Sequence, residues 1–157
     1  MDLQILASRT QLPQRKLRYV IDHDLVPGLK LEIAENEVGR PRRFADDAGF
    51  GIACAASLLE AGLHRAAVRQ FLETLLGFAT PKPLTGRDIL IAVLQRELPA
   101  VAELGDGVNI RITVDDPKFD SGWMQPRTNA KLAKDYEPNA LVRLNLRHIC
   151  DKVVGKK

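Results

Sequence analysis

Cysteine is scarce in this chain: Cys54 and Cys150 stand far apart, no Cys-x-x-Cys pair occurs, and there are only three histidines. Neither a disulfide scaffold nor a structural zinc site is therefore indicated. Both thiols are expected in the core. No run of residues is long and apolar enough to span a bilayer, and Asp2 and Gln4 do not suit the basic start of a signal peptide, so a cytoplasmic protein is expected. A Gly-rich phosphate loop, a His-x-x-x-His pair and a Gly-x-Ser-x-Gly elbow are all missing. The expectation is therefore a protein that is not an enzyme and uses no cofactor and no metal. Charge of one sign is also modest. A net charge of +3 with a pI near 9.0 permits nucleic-acid binding without arguing for it. What remains is the composition of an ordinary globular protein, 45% hydrophobic and 27% charged. Its 157 residues are enough for one medium domain or two small ones.

The informative stretch runs from Leu3 to Phe44. Leu3, Leu6 and Ala7 fall at helical spacing with Asp2 placed to cap, and the polar Ser8-Arg9-Thr10-Gln11 interrupts the pattern before Leu12. Pro13 suits a helix start, and Leu17, Val20 and Ile21 then form an i, i+3, i+4 apolar stripe. This second helix buries one face. Its other side carries Gln14, Arg15, Arg18, Tyr19 and Asp22, long donors with a phenol and an acid, a set suited to phosphates and to base edges in a major groove. Lys16 stands at an intermediate angle between the two faces. Beyond it, Leu29, Leu31 and Ile33 alternate with Lys30 and Glu32 as a half-buried strand does, and Pro27-Gly28 and Gly39 divide residues 25–43 into two extended arms. The acids Glu32, Glu35 and Glu37 would repel a phosphate backbone. Contact is therefore assigned to Arg40, Arg42 and Arg43 at the base of this hairpin.

At these residues the chain resembles the winged helix-turn-helix domain of the MerR family of bacterial transcription regulators. Leu3-Gln4-Ile5-Leu6-Ala7, then Thr10-Gln11-Leu12, then Leu17-Arg18-Tyr19-Val20 follow the family's register, lacking only its glycine after the threonine and its second aromatic. Gly39-Arg40-Pro41-Arg42-Arg43-Phe44-Ala45-Asp46-Asp47 stands where the family carries its glycine-aromatic wing segment, one residue longer and with Phe for Tyr. The spacing from Phe44 to Gly62-Leu63 matches the family's third helix, and Val68, Phe71, Leu72 and Leu75 supply a fourth. The resemblance covers about half of the chain. It implies a dimer on a pseudo-palindromic duplex, recognition helices in successive major grooves, wings on the flanking backbone, and RNA polymerase as a further partner. It also implies DNA contact for Arg15, Arg18 and Tyr19, and a nucleoid-associated location.

Residues 45–61 read as a helix with acids at its positive end and almost no polar face, from Ile52 through Ala53, Cys54, Ala55 and Ala56 to Leu58 and Leu59. A helix apolar all round is normally buried all round, so one side is expected on the first two helices and the other under the second half of the chain or a partner. Gly49 and Gly51 within it each cost about 1 kcal/mol relative to alanine. Gly62 ends it, and another helix follows from His64 to Leu76.

Residues 78–83, with Pro81 and Pro83, form the candidate linker, after which the MerR pattern is lost: no sustained heptad follows. Thr85 opens a helix through Ile89, Leu90, Val93 and Leu94 that ends at Pro99. Val108, Ile110, Ile112 and Val114 alternate as one strand and Val142, Leu144 and Leu146 as another. Phe119 to Pro138 reads as loop with a short helix around Asn129 to Tyr136, and His148 to Val154 as a terminal helix. Asp115, Asp116 and Asp120 could hold a hard cation but read as a strand-ending turn. His148 and Cys150, in an alternating segment, would share a face with Leu146 without forming a metal site. The clustered cysteines of MerR metal sensors are absent, and Trp123, Tyr136, Phe119 and Phe78 are too few for a drug-sensing effector domain.

The expected architecture is α+β: a winged helix-turn-helix domain over 1–77, a linker over 78–83, and a small α/β module for dimerisation or effector binding over 84–157. The expected function is sequence-specific binding of double-stranded DNA by a homodimeric transcription regulator. A DNA architectural or phage-type recombination-accessory protein, and a protein-interaction module that has lost DNA binding, remain open beside it.

Overall fold

The computed structural model describes residues 1–29, 43–76, 97–117, 122–126 and 131–156. The chain is a mixed α+β protein. Helices α1 (Leu3–Thr10), α2 (Gln14–Asp22), α3 (Asp46–Glu60) and α4 (Arg65–Leu75) precede strands β1 (Ala100–Gly105), β2 (Asn109–Val114) and β3 (Leu141–Asn145), and α5 (Leu146–Val154) closes the order. Of the hairpin expected over residues 25–43, residues 30–42 lie outside the described residues, as do the linker and residues 85–96 of the helix expected after Thr85, while residues 26–29 form a turn in which the Leu29 amide donates to the Val26 carbonyl.

Local chemistry sets the helix ends. The Asp2 carboxylate accepts from the Ile5 amide at 3.0 Å and satisfies one of the free first-turn N–H groups of α1. Gln11 stops that helix in the left-handed conformation, at φ 60°. Two residues later Pro13 stands at the N-cap of α2, and Leu17 and Val20 turn inward, fully buried.

Helix α3 is the central element, with nine of its fifteen residues buried. Its two glycines have a packing reason. A Cβ on Gly51 would stand 3.0 Å from Val26 Cγ1, and one on Gly49 would stand 3.3 Å from both Val153 Cγ1 and the Met1 terminal methyl. The helical propensity lost at these positions lets the α2 exit and α5 approach the α3 backbone closely.

The cover expected over the far side of α3 comes from α5, which packs on α3 and also on α1 and β1. Leu6, Leu17, Phe50, Ile52, Leu58, Phe71, Ile110, Ile112, Leu146 and Val153 accordingly belong to one hydrophobic cluster that draws on both ends of the chain. Arg9 Nη1 donates to the Val153 carbonyl at 2.9 Å, placing a cation at the negative end of α5. Cys54 and Cys150 are both buried free thiols.

The sheet has the order β2-β1-β3, antiparallel throughout. The two strands read from alternation do not pair with each other, because β1 lies between them and bonds to both. Register places Ala102 opposite Ile112 and Leu144, and Leu104 opposite Ile110 and Val142, so one face is apolar and meets the helices. The opposite face sets Glu103 beside Arg111 and Arg143. Arg111 bonds Glu103 at 2.8 Å and lies 4.7 Å from the Trp123 ring centre, so that ring covers part of the polar face.

Two sequence expectations fail here. Residues 131–136 are not helical: Lys131 bridges Met124, and the Leu132 amide donates to the Trp123 carbonyl at 3.0 Å. Pairing with the 122–126 segment overrides the helical propensity of Lys131-Leu132-Ala133-Lys134. Likewise Leu146 opens α5 rather than ending β3, because the Asn145 side chain caps the helix by accepting from the His148 amide at 3.0 Å. Cys150, four residues past Leu146, thus faces the core while His148 is exposed.

Candidate functional site

The outward face of α2 follows from its inward one. With Leu17 and Val20 fixed in the core, the 3.6-residue period turns Gln14, Arg15, Arg18 and Tyr19 to solvent, and all four are exposed. Among the described residues, neither Arg15 nor Arg18 has a carboxylate within ion-pair distance. Their guanidinium groups are therefore available for bidentate contact with an anion or a base edge. Tyr19 stacks on His23 at 3.8 Å between ring centres, and the His23 ring meets the Tyr19 carbonyl, which braces the phenol at the end of α2.

Lys16 is committed elsewhere. Its ammonium pairs with Glu60 at 2.6 Å, tying α2 to the last residue of α3. A second brace joins Arg69 of α4 to the carbonyl and carboxylate of Asp24, just past α2, and to Glu73. These exposed pairs contribute little stability, and the position of α2 is set mainly by its packing on α1 and α3.

Arg43 is exposed and precedes the buried Phe44, whose amide and carbonyl exchange hydrogen bonds with Met1 at 2.9 and 2.8 Å. The chain that carries Arg43 is thus fastened to the start of α1. Arg40 and Arg42 lie outside the described residues.

Sequence reasoning missed a groove beside α2. A cavity of about 780 Å³ is lined by Arg15, Lys16 and Tyr19 from α2, Leu59 from α3, Leu63 and His64 from the following turn, and Arg65 and Ala66 from α4. It exists only through tertiary approach, so no local periodicity announces it. The one sequence hint is the apolar-basic succession Leu63-His64-Arg65 next to the helix start.

In the other half, the Asp106 carboxylate accepts from the Tyr136 hydroxyl at 2.7 Å and from the amides of Asn139 and Ala140. The Tyr136 and Ala140 bonds above all, with the Asn139 bond, hold its pKa below the usual carboxylate value. The role is structural, since it fastens the segment before β3 to the β1–β2 turn. Asp115 and Asp116 form the turn after β2, with the Asp115 amide donating to the Pro99 carbonyl at 3.0 Å, and Asp120 is outside the described residues. No group of three or more His, Cys, Asp or Glu suited to a metal occurs among the described residues. Nor is any helix among them long and apolar enough to cross a membrane. Compared with family models, curated proteins and solved structures, the chain matches none.

Proposed function

We propose that this chain is a transcription regulator that binds double-stranded DNA in a sequence-specific manner, with α2 as the recognition helix. The observation that carries the proposal is the one-sided burial of α2: Leu17 and Val20 are fully buried, while Gln14, Arg15, Arg18 and Tyr19 are exposed on the opposite side, and Tyr19 is stacked on His23. Such a helix presents donors suited to phosphate and to the N7 and O6 acceptors of guanine. Lys16, paired with Glu60, would have to leave that carboxylate to reach a phosphate.

The left-handed Gln11 supports the likeness to MerR regulators. It occupies the place where that family's pattern has glycine, and it adopts the conformation glycine favours. In the proposed complex Arg40, Arg42 and Arg43 contact the flanking backbone as part of a wing. Two copies form a dimer that presents two α2 helices to a pseudo-palindrome, and RNA polymerase is the further partner the family mode implies. The chain carries out no catalysis in this reading and works at the nucleoid.

The test is selection from a random duplex pool by the purified protein, followed by titration of the enriched duplex at several salt concentrations. A shared short palindrome whose affinity falls steeply with salt supports the proposal. Absence of enrichment, or binding indifferent to salt, overturns it. Cooperative binding to tandem sites without palindromy would favour an architectural protein instead.

A further inference from the structure

The groove beside α2 differs in character from the recognition face. Its lining joins apolar groups, the half-buried Leu59 and Leu63 with Ala66 and the Tyr19 ring, to the basic side chains Arg15, Lys16 and Arg65 and to His64. No carboxylate lines it, and the nearest acid in sequence, Glu60, is taken up by Lys16. Among the described residues Arg15 and Arg65 have no ion-pair partner. The first turn of α4 adds its positive dipole end here, because His64 caps it without a side-chain hydrogen bond and, among the described residues, no acceptor meets its leading N–H groups.

A phosphodiester backbone gains nothing from leucine side chains, and a purely apolar ligand gains nothing from two free guanidinium groups. A volume of about 780 Å³ lies within the range of small-molecule sites rather than that of a macromolecular docking face. We propose that this groove binds a small amphipathic anion, with its carboxylate, sulfonate or phosphate group held by Arg15 and Arg65 and its apolar body lying on Leu59 and Leu63. Because Arg15 and Tyr19 belong to both surfaces, such a ligand excludes DNA from α2. That exclusion rests on the function proposed above, whereas the binding itself does not.

The probe is anilinonaphthalene sulfonate, titrated against the full chain by fluorescence and by backbone amide NMR. Phenylnaphthylamine, the same body without the anion, and inorganic sulfate, an anion without the body, serve as comparisons. The sulfonate should shift amides of residues 15–19 and 59–66 and bind more tightly than either comparison. Arg65→Gln should weaken it roughly tenfold while barely changing phenylnaphthylamine. Leu63→Ser should weaken both dyes, and Arg18→Ala, outside the groove, should weaken neither. Shifts located elsewhere, equal affinity for the neutral dye, or indifference to Arg65→Gln would overturn the site. If the sulfonate binds as described but does not displace the selected duplex, the site stands and the shared surface is refuted. If no duplex binds at all, the regulator proposal fails and the site is judged on the dye alone.

Discussion

Replacing Val153 by alanine probes whether α5 is an integral part of the helical core. Val153 is fully buried, and its Cγ1 lies 3.3 Å from the point where a Cβ on Gly49 would sit. Two methyl-sized groups would be lost at about 0.8 kcal/mol each, and the hole left behind adds a cavity term. On the α3 side the neighbour is the Gly49 backbone, which offers no side chain to fill that hole, and the Met1 side chain stands beside it. The expected loss is about 2 kcal/mol, which for a chain of this size lowers the melting temperature by about 4 to 8 °C. Two signals should be followed through urea unfolding: far-ultraviolet circular dichroism, dominated by helix, and fluorescence of the single tryptophan, Trp123, which covers the polar face of the sheet. Because α5 joins α1, α3 and β1 in one core, both curves should move together and by the same amount. A dichroism curve that shifts while the Trp123 curve stays in place would refute the reasoning, as would a loss below about 0.5 kcal/mol.

Three further outcomes follow from local geometry. Gln11→Gly should stabilise the chain by about 0.5 kcal/mol in chemical denaturation, because relief of the left-handed backbone exceeds the extra freedom glycine gives the unfolded chain; a loss would mean the Gln11 bond to the Ser8 carbonyl matters more. Asp106 has a depressed pKa in the folded chain, so its contribution is present above the ordinary aspartate range and lost as pH falls through the lower folded value. The Asn139 and Ala140 amides should therefore titrate in NMR below that ordinary range, and Tyr136→Phe should move their midpoint upward. Burial raises the pKa of both Cys54 and Cys150, so neither thiol should react with an aromatic disulfide reagent in native buffer and both should react in denaturant.

Much of the helical half was legible because its signals are local. The Leu17, Val20 stripe, the acids opening α3, Gly62 after it and the run from Val68 to Leu75 each fix an element within a residue or so. Strand β1 was not legible. Its inward positions begin with Ala100 and Ala102, which carry little strand preference, and they become core only because β2 and β3 flank them. The helix expected near Asn129 fails for a related reason, since its propensity is overridden by a partner in the 122–126 segment. At the candidate site, periodicity alone turns Arg15, Arg18 and Tyr19 outward. The Lys16–Glu60 pair and the groove depend on how α2 meets the turn before α4, a tertiary fact with no local pattern.

The most direct measurement is the affinity of Arg18→Ala for the duplex enriched by the wild-type protein, read by fluorescence anisotropy across salt concentrations and paired with a melting curve. Arg18 is exposed and has no ion-pair partner among the described residues, so stability should change by less than about 0.5 kcal/mol. Affinity should fall by about 1 to 3 kcal/mol if the guanidinium reads a base, or the salt slope should drop by about one if it holds a phosphate. A variant that melts like the wild type and binds the duplex with unchanged affinity and salt slope would contradict the assignment of α2 as the recognition helix.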